Sequence, residues 1–257
     1  MPLIIIILCV IIALVSPYDP VQPDFLSRLA LPSFVHPLGT DHLGRDMLSR
    51  IAHGAIYSLG LAFLIVSIGA IVGIALGIVA GYAGKKLDYV LMRFTDSFFA
   101  FPEIIAAIAM ASILGPGTRN MVIALALVSW MKFARLARTL TVNVLNKDFI
   151  LQAELNGLPK WMIFKRHILP NIFMNLLVLW TNAWSRTILT ISGLSFIGLG
   201  VQPPNAEWGA MLLDGKSYMF THPWIMIFPG IAVLVSVLSI NIMGDRLRDR
   251  LDTLSYK

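Results

Sequence analysis

GAIYSLGLAFLIVSIGAIVGIALGIVAGYAG, residues 54–84, lies between His53 and Lys85 and carries no charged side chain. A helix needs about 20 apolar residues at about 1.5 Å each to cross a bilayer. The stretch is therefore long enough for one tilted transmembrane helix. Within it Gly69, Gly73, Gly77 and Gly81 recur every four residues. That spacing puts them on one helix face, where a missing side chain lets another helix backbone come close.

The rest of the chain agrees with this reading. Of its 257 residues, 57% are hydrophobic and 13% charged, against roughly 25% charged in soluble domains, and the mean hydropathy is +0.78. A soluble globular protein is excluded, and the length accommodates about six spans. The expected fold class is an all-α polytopic membrane protein.

Leu3 to Val15 is a continuous apolar run of 13 residues, about 20 Å as a helix. It is read as an uncleaved first span over residues 1–16, short enough that a start a few residues upstream is expected. No basic residue precedes it, and Ser16-Pro17-Tyr18 does not resemble a signal-peptide cleavage site. Residues 17–52 are polar and proline-rich and form the first long loop. Residues 53–244 form a core of five spans, with later apolar segments over Tyr89–Leu114, Asn120–Ala134, Ile168–Ile191 and Pro223–Gly244. This core includes polar loops at 145–167 and 198–222, and residues 245–257 form a tail.

Six spans put both termini on one side. Fourteen basic residues, from Lys85, Lys86 and Arg93 through Lys132–Arg166 to the C-terminal Arg246, Arg248, Arg250 and Lys257, fall on that side. Five fall on the other, and Arg186 lies inside a span. The positive-inside rule makes the richer side cytoplasmic. The excess of six positive charges thus concerns orientation in lipid rather than nucleic acid.

Motifs for soluble chemistry fail. Gly215-Lys216-Ser217 lacks a phosphate-loop glycine at Ala210. The five histidines have no zinc-site spacing, Cys9 is the only cysteine, and Ile197 breaks a G-x-S-x-G pattern around Ser195. No catalytic residue, metal ligand or cofactor site is expected in this chain.

Charges inside spans are costly and face partners or polar paths. Glu103 is about 12 residues, roughly 18 Å, from either end of its apolar segment, beside the helix-kinking Pro102. A structural ion pair and a pathway carboxylate are both open. Arg186 is read as a snorkelling cation or a pathway residue. Asp96 is read as structural, held by Arg93 or Lys85.

The segment Lys132–Arg166 mixes charge with Phe149, Ile150, Leu151, Leu155, Trp161 and Phe164, as an interfacial helix offered to a partner does. Gly157 and Pro159 supply a helix stop, and Pro170 suits the first turn of the next span.

Here the chain resembles the permeases of binding-protein-dependent ABC importers, whose cytoplasmic loop reads E-A-A-x3-G-x9-I-x-L-P. Ala153, Gly157, Leu169 and Pro170 fit that pattern, while Leu151 and Gln152 replace its glutamate and first alanine. Two further blocks, Leu38–Asp46 with Ser49-Arg50, and Ser195–Gly200 leading to Pro203-Pro204 and Glu207-Trp208-Gly209, are similar to the C-type permease of peptide and nickel importers, as is Gly244–Asp252. The resemblance covers the chain from about Tyr18 onward.

It implies a type I importer-like fold with a cytoplasmic coupling helix, in a bacterial or archaeal cytoplasmic membrane. It also implies a second homologous permease, two ATPases that bind ATP and Mg, and an extracytoplasmic substrate-binding protein, with membrane lipid around the spans. ATPase coupling is assigned to Gln152, Ala153, Glu154, Gly157, Leu169 and Pro170. Glu103 and Arg186 are pathway candidates. Asp41, Gly44, Arg45 and Asp46 either dock or gate on the outer side, or pair internally to fold the loop. Ile191 stands where peptide-type members carry a glutamate, which favours nickel or a metal chelate over di- or oligopeptides. A homo-oligomeric channel or secondary transporter is the alternative.

Overall fold

The computed structural model describes residues 11, 12, 15–82 and 84–255. The first expected span, residues 1–16, lies largely outside them. The described chain is helical, with one isolated bridge between Thr40 and Asp46 in place of any strand. The helices are α1 (Met47–Tyr82), α2 (Lys85–Phe99), α3 (Glu103–Leu114), α4 (Thr118–Leu145), α5 (Asp148–Leu155) and α6 (Lys160–Ile163). A π-helical turn (Phe164–Ile168) leads into α7 (Leu169–Phe196), followed by α8 (Trp208–Gly215) and α9 (Trp224–Ser255).

Helix boundaries depart from the hydropathy reading wherever polar residues continue a helix. α1 starts at Met47, inside the expected loop of 17–52, because Asp46 caps it: its carboxylate accepts the Ser49 amide at 2.8 Å. Its first turns stay polar because the Ser49 hydroxyl and the Arg50 guanidinium donate to the carbonyls of Tyr18 and Pro20. α9 runs unbroken into the expected tail at 245, and α4 continues past Ala134 to Leu145.

The expected straight span Tyr89–Leu114 is broken. α2 and α3 meet at 84° across residues 100–102. Pro102 lacks an N–H and pushes Phe101 out of the helical region. Each arm, of 15 and 12 residues, is too short alone to cross about 30 Å of hydrocarbon. Among the described residues four helices are long and apolar enough to cross a membrane, five if the bent pair is one span.

The chain divides into two compact units. One contains residues up to Ile65, Ala107–Leu125 and Trp184–Met243. Its interior is apolar, with Leu59, Ile65, Met121, Ile188, Ile191, Trp208 and Ile225 buried. In its loop Asp24 caps a short 3-10 turn at Phe25–Ser27. The Ser27 hydroxyl and the Leu26 amide hold its carboxyl below the usual range.

The other unit contains Val66–Ala106, Ala126–Ala183 and the chain from Gly244. Here the glycine stripe of α1 lies on α4. A β-carbon at Gly69 would meet the Ser129 side chain, at Gly73 the Trp130 carbonyl oxygen, at Gly77 the Ala134 carbonyl oxygen, and at Gly81 the Thr141 methyl at 2.9 Å. Val66, Ala70 and Phe133 form a core beside this contact, with Ile74, Leu179 and Trp180 against it.

Gly73→Ala should therefore destabilise the protein by about 1–3 kcal/mol, since the atom it meets is backbone. Gly60→Ala, on the same helix in open space, should match or exceed wild type because alanine is the better helix former. Thermal unfolding of both variants in detergent checks this; equal midpoints for Gly73→Ala and wild type would refute the contact.

Candidate coupling surface and charged sites

α5 is short, and its Ile150 and Ala153 are buried in one cluster with Ala137 of α4 and Ile163, Ile168, Ile172 and Leu176. Ile74, Ile78 and Tyr82 of α1 pack against the same cluster. The π turn places Ile163 and Ile168, five apart, in the same core. Its signature is the Leu169 N–H bonded to the Phe164 carbonyl. Pro170 follows, with no N–H of its own to give.

α5 ends in a Schellman turn: Gly157 N–H bonds to the Glu154 carbonyl at 2.9 Å and Leu158 N–H to the Ala153 carbonyl at 3.1 Å. Gly157 has φ +73°, a left-handed conformation that strains any L side chain. Beyond this core, Phe149, Leu151, Leu155 and Trp161 are exposed, Leu155 to 79% and Trp161 to 63%. Exposed apolar side chains gathered in this way mark a surface that meets a partner or lipid.

Of the coupling residues expected from sequence, Gln152, Glu154 and Gly157 are exposed beside these apolar groups, and Pro170 is exposed at the start of α7 with Leu169 at the margin of exposure. Ala153 faces inward and is buried in the cluster. Leu151, Leu155 and Trp161 were visible as apolar residues in a charged segment, but their outward direction needed the fold.

Three ion pairs join α4 to α2 and α3: Lys132 with Glu103, Arg135 with Asp96, and Arg138 with Asp88. Arg138 Nε donates to Asp88 at 2.9 Å, and the Arg135 guanidinium lies 3.8 Å above the Phe99 ring. Glu103 is the first residue of α3, just past the break, so a depth counted along a straight helix does not apply. Its side chain is 49% exposed and that of Lys132 32%. Asp96 is held by Arg135, not by Arg93, which instead sits 5.3 Å from the Tyr89 ring centroid. Arg186 is exposed on α7 and belongs to the other unit.

Asp41, Arg45 and Asp46 are buried. Arg45 Nε meets Asp41 at 2.7 Å, Arg50 Nε meets the same carboxylate at 3.4 Å, and both arginines reach Asp214. His36 Nδ1 lies 3.0 Å from Asp46. Gly44 has φ +78° and would drive a β-carbon into the Asp24 carbonyl. These groups fold the loop and present little surface. The exposed groups are Phe25, Leu26, Leu31, Phe34 and Val35, which carried no periodic signal in a proline-rich segment.

Glu207 is fully buried and caps α8, accepting the amides of Gly209 and Ala210 at 3.0 and 2.9 Å and the Ser58 hydroxyl at 3.0 Å. Trp208 Nε1 donates to the Ile51 carbonyl at 3.0 Å. Ser195 accepts the Val201 amide through its hydroxyl at 3.2 Å, and Gly198 ends α7 in a second Schellman turn. The two blocks Ser195–Gly200 and Glu207–Gly209 are thus turn and cap chemistry.

Among the described residues the chain is helical, with four or five helices able to cross a membrane and a short helix, α5, packed on three of them with apolar groups exposed. Residues 73–253 match the family described as the binding-protein-dependent transport system inner membrane component, and the chain belongs to that family, the permeases of ABC importers. It is 41% identical to the nickel transport system permease protein NikC of Escherichia coli, over 97% of this chain and 92% of the relative. It is also 41% identical to the di/tripeptide permease DppC of Pseudomonas aeruginosa, over 97% and 85%. Identity to the glutathione permease GsiD of Pectobacterium atrosepticum is 43%, over 86% and 73%. The fold matches a chain of the MetNI methionine ABC transporter in inward-facing conformations, with TM-score 0.64 at 17% identity over 79% of this chain and 97% of that one. A chain of an amino acid ABC transporter with histidines matches at TM-score 0.60 and 19% identity, over 78% and 94%.

The α2–α4 pairing is testable by charge exchange. Arg138→Asp should lower the unfolding midpoint, by about 1 kcal/mol for a partly exposed pair plus the new repulsion, and adding Asp88→Arg should restore most of it. A double variant no better than the single one would show that the pair is not an energetic contact.

Proposed function

We propose that this chain is one of two homologous permeases that together form the translocation path of an ATP-driven, binding-protein-dependent importer. Both termini are cytoplasmic, as the distribution of basic residues indicates. Two ATPases holding ATP and Mg dock on α5, and a binding protein delivers substrate to the outer side. The chain itself hydrolyses nothing.

The observation that carries this reading is the two-sided construction of α5. Its inner face shares one buried cluster with α1, α4 and the start of α7, while its outer face offers Leu151, Leu155 and Trp161. A close-packed cluster moves as a body rather than deforming. A shift of α5 imposed by closing ATPases would therefore carry the cytoplasmic ends of three spans with it, as coupling between two states requires. Gly157 fixes the bend that holds this outer face in place.

For substrate, the reading favours nickel or a metal chelate over peptides, on Ile191 in place of a glutamate. Uptake of radiolabelled nickel against a labelled dipeptide, in cells carrying the whole transporter, decides between them. Glu103 and Lys132 are assigned to the path. A half-exposed acid–base pair beside a broken helix fits a polar route.

Leu155→Arg should abolish co-purification of the ATPases, read by mass spectrometry of the tagged chain, while the second permease is retained. Recovery of this chain alone as a homo-oligomer, with wild type as well, would instead support a channel. Glu103→Gln should slow uptake several-fold with the complex intact, and normal uptake would remove Glu103 from the path.

A further inference from the structure

α2 is not explained by spanning or by coupling. It has 15 residues, about 22 Å, and turns 84° from α3. One face meets α4, where Asp88 and Asp96 are taken by Arg138 and Arg135. A second face exposes Leu87, Val90, Phe94 and Phe98 at three- and four-residue spacing, the two phenylalanines also touching Trp130 of α4 at its margin. Lys86 and Arg93, seven apart and both exposed, lie on the edge between the two faces, and neither has a carboxylate partner among the described residues.

The charge balance has a direction. An open cleft of about 410 Å³ is lined by Asp88 and Asp96 together with Arg93, Arg135 and Arg138. Two carboxylates against three guanidiniums leave one positive charge in excess, that of Arg93. Tyr89, also lining the cleft, sits beneath Arg93. A helix with an apolar face, basic residues at its edge and neutralised acids is built to lie in the plane of a membrane surface. Long basic side chains at such an edge reach the headgroups while their stems stay in apolar surroundings.

We propose that α2 lies in the membrane interface and that Lys86 and Arg93 bind the phosphate of an anionic phospholipid, with the acyl chains against Leu87, Val90, Phe94 and Phe98. The two cations without carboxylate partners, Lys86 and Arg93, complement an anionic headgroup. The leaflet, cytoplasmic, rests on the orientation proposed above. The site is distinct from the α5 surface and from the Glu103–Lys132 pair.

The test uses the assembled transporter in mixed micelles holding equal amounts of dioleoylphosphatidylglycerol and dioleoylphosphatidylcholine, with retained lipid counted by native mass spectrometry. Wild type should retain the glycerol lipid preferentially. Lys86→Gln with Arg93→Gln should lower the preference about five-fold for each cation removed, and Lys86→Arg with Arg93→Lys should preserve it. Equal retention of both lipids by wild type, or an unchanged preference in the double glutamine variant, would overturn the proposal. The leaflet is read separately from Ser97→Cys in a Cys9→Ser background, using an impermeant maleimide. Labelling from the cytoplasmic face is expected; labelling from the outside only would overturn the orientation and the leaflet assignment with it.

Discussion

The architecture of this permease depends on a backbone-to-backbone contact in a solvent that does not drive apolar surfaces together. In a bilayer, leucine against leucine gains little over leucine against lipid, so helices associate by close packing. The glycine stripe of α1 supplies it against α4, reaching the carbonyl oxygens of Trp130 and Ala134. Ile74 on α1, beside this seam, packs against both nearby apolar clusters. The base on which α5 rests is therefore assembled from the seam outward.

Charge is managed differently in the two units. In the unit that holds the proline-rich loop acids and bases are buried and shared: Asp41 serves both Arg45 and Arg50, and Asp214 serves the same two. Such a closed network resists loss of any member, because the remaining charge would be buried and unpaired. In the other unit the three pairs on α4 are partly exposed. They are individually weak contacts, suited to surfaces that meet water, headgroups or moving partners.

Much of this was legible in the sequence. The apolar stretches fixed the class, the four-residue glycine period announced a close helix contact, and Gly157 marked the end of the coupling helix. Hydropathy could not see that Asp46 starts α1 early, because a helix cap is a local hydrogen bond and not a composition. It also could not see the break at residues 100–102, since two short apolar arms average to one long one. Asp96 was assigned to cations near in sequence, whereas its partner Arg135 comes from a helix that only tertiary folding brings alongside. The resemblance to importer permeases agrees with the family match, but which side of α5 is exposed had to come from packing.

Gly157 and Gly198 are alike in one respect that separates them from Gly73. Nothing lies within 4 Å of where a β-carbon would stand at either position, whereas at Gly73 the space is filled by a carbonyl. The turns after α5 and α7 therefore select by backbone handedness and not by space: an L side chain would find room there but strains the left-handed backbone. Ribosomal synthesis offers only one achiral residue, so at these two turns the genetic alphabet rather than the packing leaves glycine as the unstrained choice.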